Sequence, residues 1–472
     1  MTKILLNTHF MKNSSSFSYQ FCFAIFLVFT FIPCFAQTTT QNQVFKTANS
    51  TLTLQEAIAQ SLKNNYGILI ERERINQSTL NNNWGETGRY PTVNLLLQQN
   101  NGVNNIDNPA SFLSGNVINN SIQPALNINW VIFNGFRTKI AKHRLEQLQE
   151  ESEGNAEIVI QNAIQAVILG YYRVILEKER IDVLKKILNY SRDRNRYSEV
   201  QVDLGTATTA ETLLTKTNFL TDSINLINQE LVYRNAVRDL NVLMGEKEIE
   251  KVYEINEKLQ APAATYQFED LEKQMLEANP DLNRLLISQA ILHDATLLNN
   301  AAIMPQLSLS AGNSYNYNRQ DLSQATFSSN QSPPTEPINA TTTNYFLNFN
   351  LTFTLFNGGQ LKRAVQRAKI SENIGNLTID QNKLTLSRDL ARAFDLYNVR
   401  RQLLDLSTQS KNVSEQNLQI LEERYNSGLI NSFDYRQIQN AFQNAAFNEL
   451  QATYNLIDAN TTLIRLTGGL TE

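Results

Sequence analysis

Between Tyr345 and Phe356, large apolar residues take every second position. They are Tyr345, Leu347, Phe349, Leu351, Phe353 and Leu355, with Asn348, Asn350, Thr352 and Thr354 between them. This alternation predicts a strand with one apolar and one polar face. The turn Asn357-Gly358-Gly359 follows, and then a stretch without proline and with a single glycine, Gly375, that reaches Tyr425. Its composition predicts a helix roughly 90 Å long, far beyond the ordinary globular helix.

The same order occurs earlier in the chain. A first helix starts near Thr51 and runs toward Asn81. A strand over 90–100 begins at Tyr90-Pro91 and places Val93, Leu95 and Leu97 on one face. A Gly/Asn-rich loop covers about 100–120. A second strand over 121–133 alternates Ile122, Leu126, Ile128, Trp130 and Ile132 with Gln123, Asn127 and Asn129. Phe133-Asn134-Gly135 turns it into a helical run that Gly205 breaks, and a further helix ends at Gly245. In the second half a helix is expected over 268–301, strands over 305–318 and 344–356, and helices up to Gly428 and from about 433 to 466.

Matching residues keep fixed offsets. Asn65 and Asn279, like Pro91 and Pro305, are 214 residues apart. Phe133-Asn134-Gly135 and Phe356-Asn357-Gly358 are 223 apart, as are Gly205 and Gly428, and Gly245 and Gly468. The chain therefore reads as a duplication, with a first repeat over 37–245, a charged connector over 246–267 and a second repeat over 268–472. The extra residues of the second copy fall between its strands, where a loop absorbs them.

Composition narrows the setting. In residues 1–36 the only charges are Lys3 and Lys12, an apolar run spans Phe21–Phe35, and Cys34-Phe35-Ala36 precedes Gln37. We expect a cleaved export signal, starting at Met1 or Met11; an uncleaved anchor and a lipoprotein signal are the alternatives. Cys22 and Cys34 are the only cysteines, so the mature chain has no disulfide. Without Lys3 and Lys12 the formal charge of −4 becomes −6, which argues against a nucleic-acid partner. No other stretch has the apolar length of a membrane-spanning helix, so a membrane crossing would use strands. His143 and His293 lie in helical sequence without a metal-ligand pattern, and there is no nucleotide-binding glycine loop or nucleophile elbow. No enzyme activity and no cofactor are expected.

Four strands with unpaired edges cannot stand alone in a bilayer. By sharing a barrel, two copies would supply eight strands and three copies twelve, and both sizes are allowed. Leu403, Leu406, Ser410, Val413 and Ile420, and likewise Tyr435, Ile438, Phe442 and Ala445, follow coiled-coil spacing. The competing readings are a sheet packed on helices in a soluble protein and a structural coiled-coil protein of the envelope without a pore.

The duplicated pattern resembles the TolC family of outer-membrane efflux and secretion channels over about 51–468. The resemblance rests on Leu276-Glu277-Ala278-Asn279-Pro280 and its first copy Leu62 to Asn65, where Tyr66 replaces proline. It rests also on Tyr90-Pro91 and Met304-Pro305, on the two Phe-Asn-Gly turns (Asn134, Gly135, Asn357, Gly358), and on Arg424-Tyr425-Asn426-Ser427-Gly428 followed by Asp434. It implies a mixed α/β membrane protein: a homotrimer sharing a twelve-stranded β-barrel in the outer membrane, with long coiled-coil hairpins in the periplasm. It also implies a passive duct for a tripartite efflux or type I secretion system. The partners would be a periplasmic adaptor, an inner-membrane RND or ABC transporter, and outer-membrane lipid.

By the same resemblance Tyr425 belongs to contacts that hold a closed tip, and Asp434 faces the lumen. Some family members carry a second acid one turn later; here that position is Gln437, so one acidic ring is expected. In the first repeat Gly205 matches Gly428, but Val202 stands for the tyrosine and Glu211 for Asp434. The tips are thus chemically unlike. Val202 and Leu204 are candidate docking residues for a partner.

Overall fold

The computed structural model describes residues 51–206, 208–328, 332–427 and 429–470; the expected export signal lies outside them. The elements, in chain order, are α1 (Leu54–Asn64), α2 (Tyr66–Asn81), β1 (Thr92–Ile106), β2 (Leu113–Asn134), α3 (Arg137–Asp203), α4 (Thr209–Met244), α5 (Phe268–Ala278), α6 (Pro280–Ala301), β3 (Gln306–Asp321), β4 (Ala325–Phe327), β5 (Ile338–Thr352), α7 (Gln360–Asn426) and α8 (Ser432–Leu466). Helices α3 and α7 each have 67 residues, roughly 100 Å at the α-helical rise.

The strands form one antiparallel sheet in the order β1-β2-β3-β5. Its middle pair, β2 with β3, joins the two repeats. The short β4, which the alternation did not predict, pairs with Leu113–Gly115 of β2. The sheet is also taller than expected. Asn101–Ile106 and Gly115–Asn120, read as loop, are paired residue for residue. Backbone hydrogen bonds extend the ladder there without any apolar alternation. In β5 the strand ends at Thr352, short of Phe356. Partners in register share a face, so Leu95 and Leu126 line up across β1 and β2, and Trp130, Leu309 and Phe349 across β2, β3 and β5. A bulge between Val131 and Phe133 inserts Ile132, which leaves Trp130 and Phe133 on one apolar face. This face is not packed on the helices: Leu95 is 80% and Leu351 70% exposed.

Each expected short helix is two helices. Asn65 and Asn279 are extended, and each caps the helix that follows with its side chain. Their Nδ2 groups donate to Leu243 O and Leu466 O, both at 2.9 Å. Opposite them, Gly245 and Gly468 adopt positive φ, and a Cβ on either would meet the carbonyl of Asn64 or Ala278. The residues that betray the duplication are thus the two halves of one joint, built twice.

Helix α3 contacts α1, α2, α4, α6 and α8, and α7 contacts α5, α6 and α8. By length and composition α3 is apolar enough to span a bilayer, contrary to the sequence reading. Its Val167, Tyr171, Val174 and Ile175 instead build a core with α4 and the segment between α4 and α5. Two histidine–carboxylate contacts grip α6 from both sides: His143 Nδ1 with Asp294 at 2.8 Å, and His293 Nδ1 with Glu372 at 2.9 Å.

The chain after α4 is tied back by Glu246. Its carboxylate accepts from Lys251 Nζ (2.9 Å), Tyr253 OH (2.8 Å) and Gln60 Nε2 (3.2 Å). These donors, Lys251 foremost and then Tyr253, hold the carboxyl at about 2. Because this lies below the unfolded value of 4.5, the gain in stability is full above that pH and is lost as the pH falls through about 2. Glu246→Gln should therefore lower stability at neutral pH by about 1–2 kcal/mol, allowing for solvent screening. Denaturation of both proteins from pH 7 to pH 2 should show the difference shrinking steadily below pH 4.5, to a small remainder at pH 2.

Candidate functional site

Two regions are chemically unfinished in a single chain: its flanks and its tip. One flank carries β1, and the other carries β5. Each edge strand has 15 residues and leaves every second backbone N–H and C=O without a strand partner. The helices end in matching flanks. Near the sheet the packing order is α2-α3-α6-α7, and farther along it is α4-α3-α8-α7. Outer helix α7 exposes Ile370, Ile374, Leu377 and Leu384, then Leu396, Val399, Leu403, Leu406, Val413 and Ile420. Helix α2 exposes Tyr66, Ile70 and Leu80, and α4 exposes Leu213, Leu220, Ile224, Ile227 and Leu231. All follow steps of three and four, the spacing of a coiled-coil seam. The two sets read from sequence therefore differ in kind. Tyr435, Phe442 and Ala445 are buried within the chain, whereas Leu403, Leu406, Val413 and Ile420 lie on the open flank.

At the tip the two hairpins meet. Helix α3 ends at Asp203, and Gly205 just beyond it has a φ of +71°. The Thr206 N–H donates to Gln201 O at 2.9 Å, and in the second repeat Leu429 N–H donates to Arg424 O at 2.9 Å. Gly428 lies outside the described residues. Asn431 caps α8 through the N–H groups of Phe433 and Asp434. Tyr425 stacks on Tyr435 with centroids 5.0 Å apart, and its hydroxyl lies 3.2 Å from Ser432 Oγ. Ser432 Oγ donates in turn to Glu211 Oε1 at 2.8 Å. Two of the expected tip residues, Tyr425 and Glu211, are thus joined through Ser432. Asp434 and Gln437 are not part of this cluster; both are exposed, one turn apart on α8. Val202 is half-buried, and Leu204, Leu429 and Phe433 stand out from the tip. At the other end of the helices, Asn134 Oδ1 accepts from Thr138 N–H in the first turn of α3 at 3.3 Å, while Gly135 and Gly358 take positive φ in the two turns.

Sequence reasoning missed the buried polar joint behind the tip. Asp222 of α4 is 1% exposed and accepts twice from Arg436 of α8, at 2.6 and 2.8 Å. Ser191 of α3 also donates to Asp222. Arg194, equally buried, donates to Ser432 O, and its guanidinium lies 5.5 Å from the Tyr425 ring and 5.7 Å from the Tyr435 ring. Burial pushes the Arg194 pKa down, and Tyr425 beside it works the other way. Burial also raises Tyr435, with Glu422 adding to it. The available signal was positional: Ser191, Arg194 and Ser198 sit at steps of three and four from Ile187, on an otherwise apolar stripe. Among the described residues no group of His, Cys, Asp or Glu side chains could hold a metal ion.

The family model for outer membrane efflux proteins matches residues 57–246 and 271–469. The fold is similar to three solved outer-membrane proteins. The CmeC outer membrane channel of Campylobacter jejuni superposes with a TM-score of 0.69 at 17% identity, covering 89% of both chains. VceC of Vibrio cholerae gives 0.65 at 13% identity, over 88% of this chain and 96% of that one. The open MtrE channel of Neisseria gonorrhoeae gives 0.66 at 14%, over 88% and 89%. No curated protein matches by sequence.

Removing Arg436 would strand a buried carboxylate. Arg436→Leu should cost about 3–5 kcal/mol. Adding Asp222→Leu should recover much of that, and thermal unfolding of the helical signal in the two variants checks it.

Proposed function

This chain belongs to the outer membrane efflux protein family, and from that premise we propose that it is one of three identical protomers of a passive exit duct. The observation that carries the reading is the pair of open flanks. A sheet with one exposed apolar face fits a bilayer only if no backbone edge meets lipid. Pairing β1 of one copy with β5 of the next supplies the missing hydrogen bonds. The same rotation brings the α7 stripe of one copy against α2 and α4 of the next. This is a head-to-tail contact, which closes into a ring.

Two copies would give an eight-stranded barrel, whose interior is filled by its own side chains; larger barrels leave an aqueous lumen. The face opposite the apolar one carries Asn127, Asn129, Ser308, Ser310, Asn348 and Asn350. These are polar groups suited to water and too small to fill a core. That favours three copies, with four strands and four helices of each around the axis.

The hairpins then extend the duct into the periplasm and end in a gate. In this reading Tyr425, Glu211, Asp434 and Gln437, with Val202, Gly205 and Gly428 at the turns, form its moving end. Three Asp434 side chains would form a carboxylate ring that favours cations. The chain has no energy source of its own. An inner-membrane RND or ABC transporter would drive export, and a periplasmic adaptor would dock at the tip on exposed Leu204, Leu429 and Phe433. A structural coiled-coil role would need no conductance and no lumenal polar face.

Ile374→Glu together with Leu377→Glu puts charge into the seam. It should convert the detergent-solubilised particle from three chains to one by light scattering, with helix content kept; an unchanged particle mass would remove the assembly. Reconstituted protein should conduct in planar bilayers, and Asp434→Lys should shift the reversal potential toward anion preference. Unchanged selectivity would take Asp434 out of the lumen.

A further inference from the structure

Where the sheet meets α3, a cavity of about 590 Å³ opens on the apolar side. Trp84, Trp130, Phe133 and Phe136 line it, together with Arg89 and Lys139. Trp84 and Trp130 are the only tryptophans of the chain. The parts are tied together. The Trp130 indole N–H donates to Arg89 O at 2.9 Å, the Arg89 guanidinium lies 4.4 Å from the Trp84 ring, and Phe136 packs edge-on against Phe133 at 5.4 Å.

Phe136 is the one described non-glycine residue with positive φ. The matching residue of the second repeat is Gly359, which takes the same backbone conformation without a side chain. The first repeat therefore holds a bulky ring in a conformation that disfavours it, and leaves that ring largely exposed. The edge-on contact with Phe133 covers only part of the ring.

We propose that this cavity binds the headgroup of an anionic phospholipid of the periplasmic leaflet, a reading that rests on the membrane-embedded barrel above. Charge complementarity selects the occupant. Arg89 and Lys139 are exposed cations, and no acidic side chain lines the cavity. A neighbouring copy would not neutralise them. Its flanking segment, residues 353–371, carries Lys362, Arg363, Arg367 and Lys369 and no Asp or Glu. A lipid phosphate supplies the missing charge, and its acyl chains continue along the apolar face of β2 past Trp130. Aromatic rings with basic side chains at the headgroup level are the expected chemistry for such a contact.

Both tryptophans report on the site directly. The full-length protein is reconstituted in phosphatidylcholine vesicles containing a fixed minor fraction of brominated phosphatidylglycerol or brominated phosphatidylcholine, and insertion is scored separately by vesicle flotation. The brominated anionic lipid should quench tryptophan emission more than the zwitterionic one at equal bromine content. Arg89→Gln with Lys139→Gln should lower the apparent preference by roughly fivefold or more, since each basic group near an anionic surface contributes about that factor. Quenching by phosphatidylcholine should stay unchanged, and so should particle size. Equal quenching by both lipids overturns the proposal, as does a preference insensitive to the double variant. Displacement of the preference by millimolar inorganic phosphate would assign the site to a free anion. Tryptophans of a floated protein that neither lipid quenches would mean that a neighbouring copy covers them. Failure to float would overturn the membrane reading itself.

Discussion

A hydrogen-bonding group facing hydrocarbon has nothing to bond to, and each one left so costs several kcal/mol. The outer edges of β1 and β5 present a row of such groups. No local adjustment removes them, because β2 and β3 already occupy the inner edges. Closure with other copies is the remaining solution. In the assembly proposed above, one rotation would close sheet and helices together. Strand β1 and helices α2 and α4 lie on one flank, and strand β5 and helix α7 lie on the other.

The duplication makes this arrangement compact to encode. Asn65 and Asn279 make the same bend, cap the next helix and reach the same carbonyl of their own hairpin, while Gly245 and Gly468 clear the space for them. Away from these joints the two halves differ in sequence. Val202 stands opposite Tyr425 at the tips, and Phe136 opposite Gly359 beneath the sheet. Behind the tips, Asp222, Arg436, Ser191 and Arg194 bind three helices through buried polar groups. A pair of this kind adds little net stability but permits one register, since any slip leaves a charge without a partner.

Alternation such as that of Tyr345–Leu355 made the strands legible, and constant offsets made the repeat legible, because both are periodic. Features that depend on partners distant in sequence were not. Asn101–Ile106 has no apolar rhythm and is strand only because Gly115–Asn120 lies beside it. The break at Asn65 is set by a carbonyl far along the chain, at Leu243. The spacing of Leu403, Leu406 and Val413 matches that of Tyr435 and Phe442, so spacing alone did not separate an open flank from a core. At the tip Tyr425 was legible as part of a motif, whereas Asp222 and Arg436 belong to no motif and acquire meaning only by contact.

The central claim is that β1 and β5 are paired in the working protein. Hydrogen–deuterium exchange of the lipid-reconstituted protein, read at individual backbone amides, measures this directly. The outward amides of β1 (Thr92–Ile106) and β5 (Ile338–Thr352) should exchange as slowly as the ladder amides of β2 and β3. Exchange at the rate of the turn around Asp107–Phe112 would contradict the account.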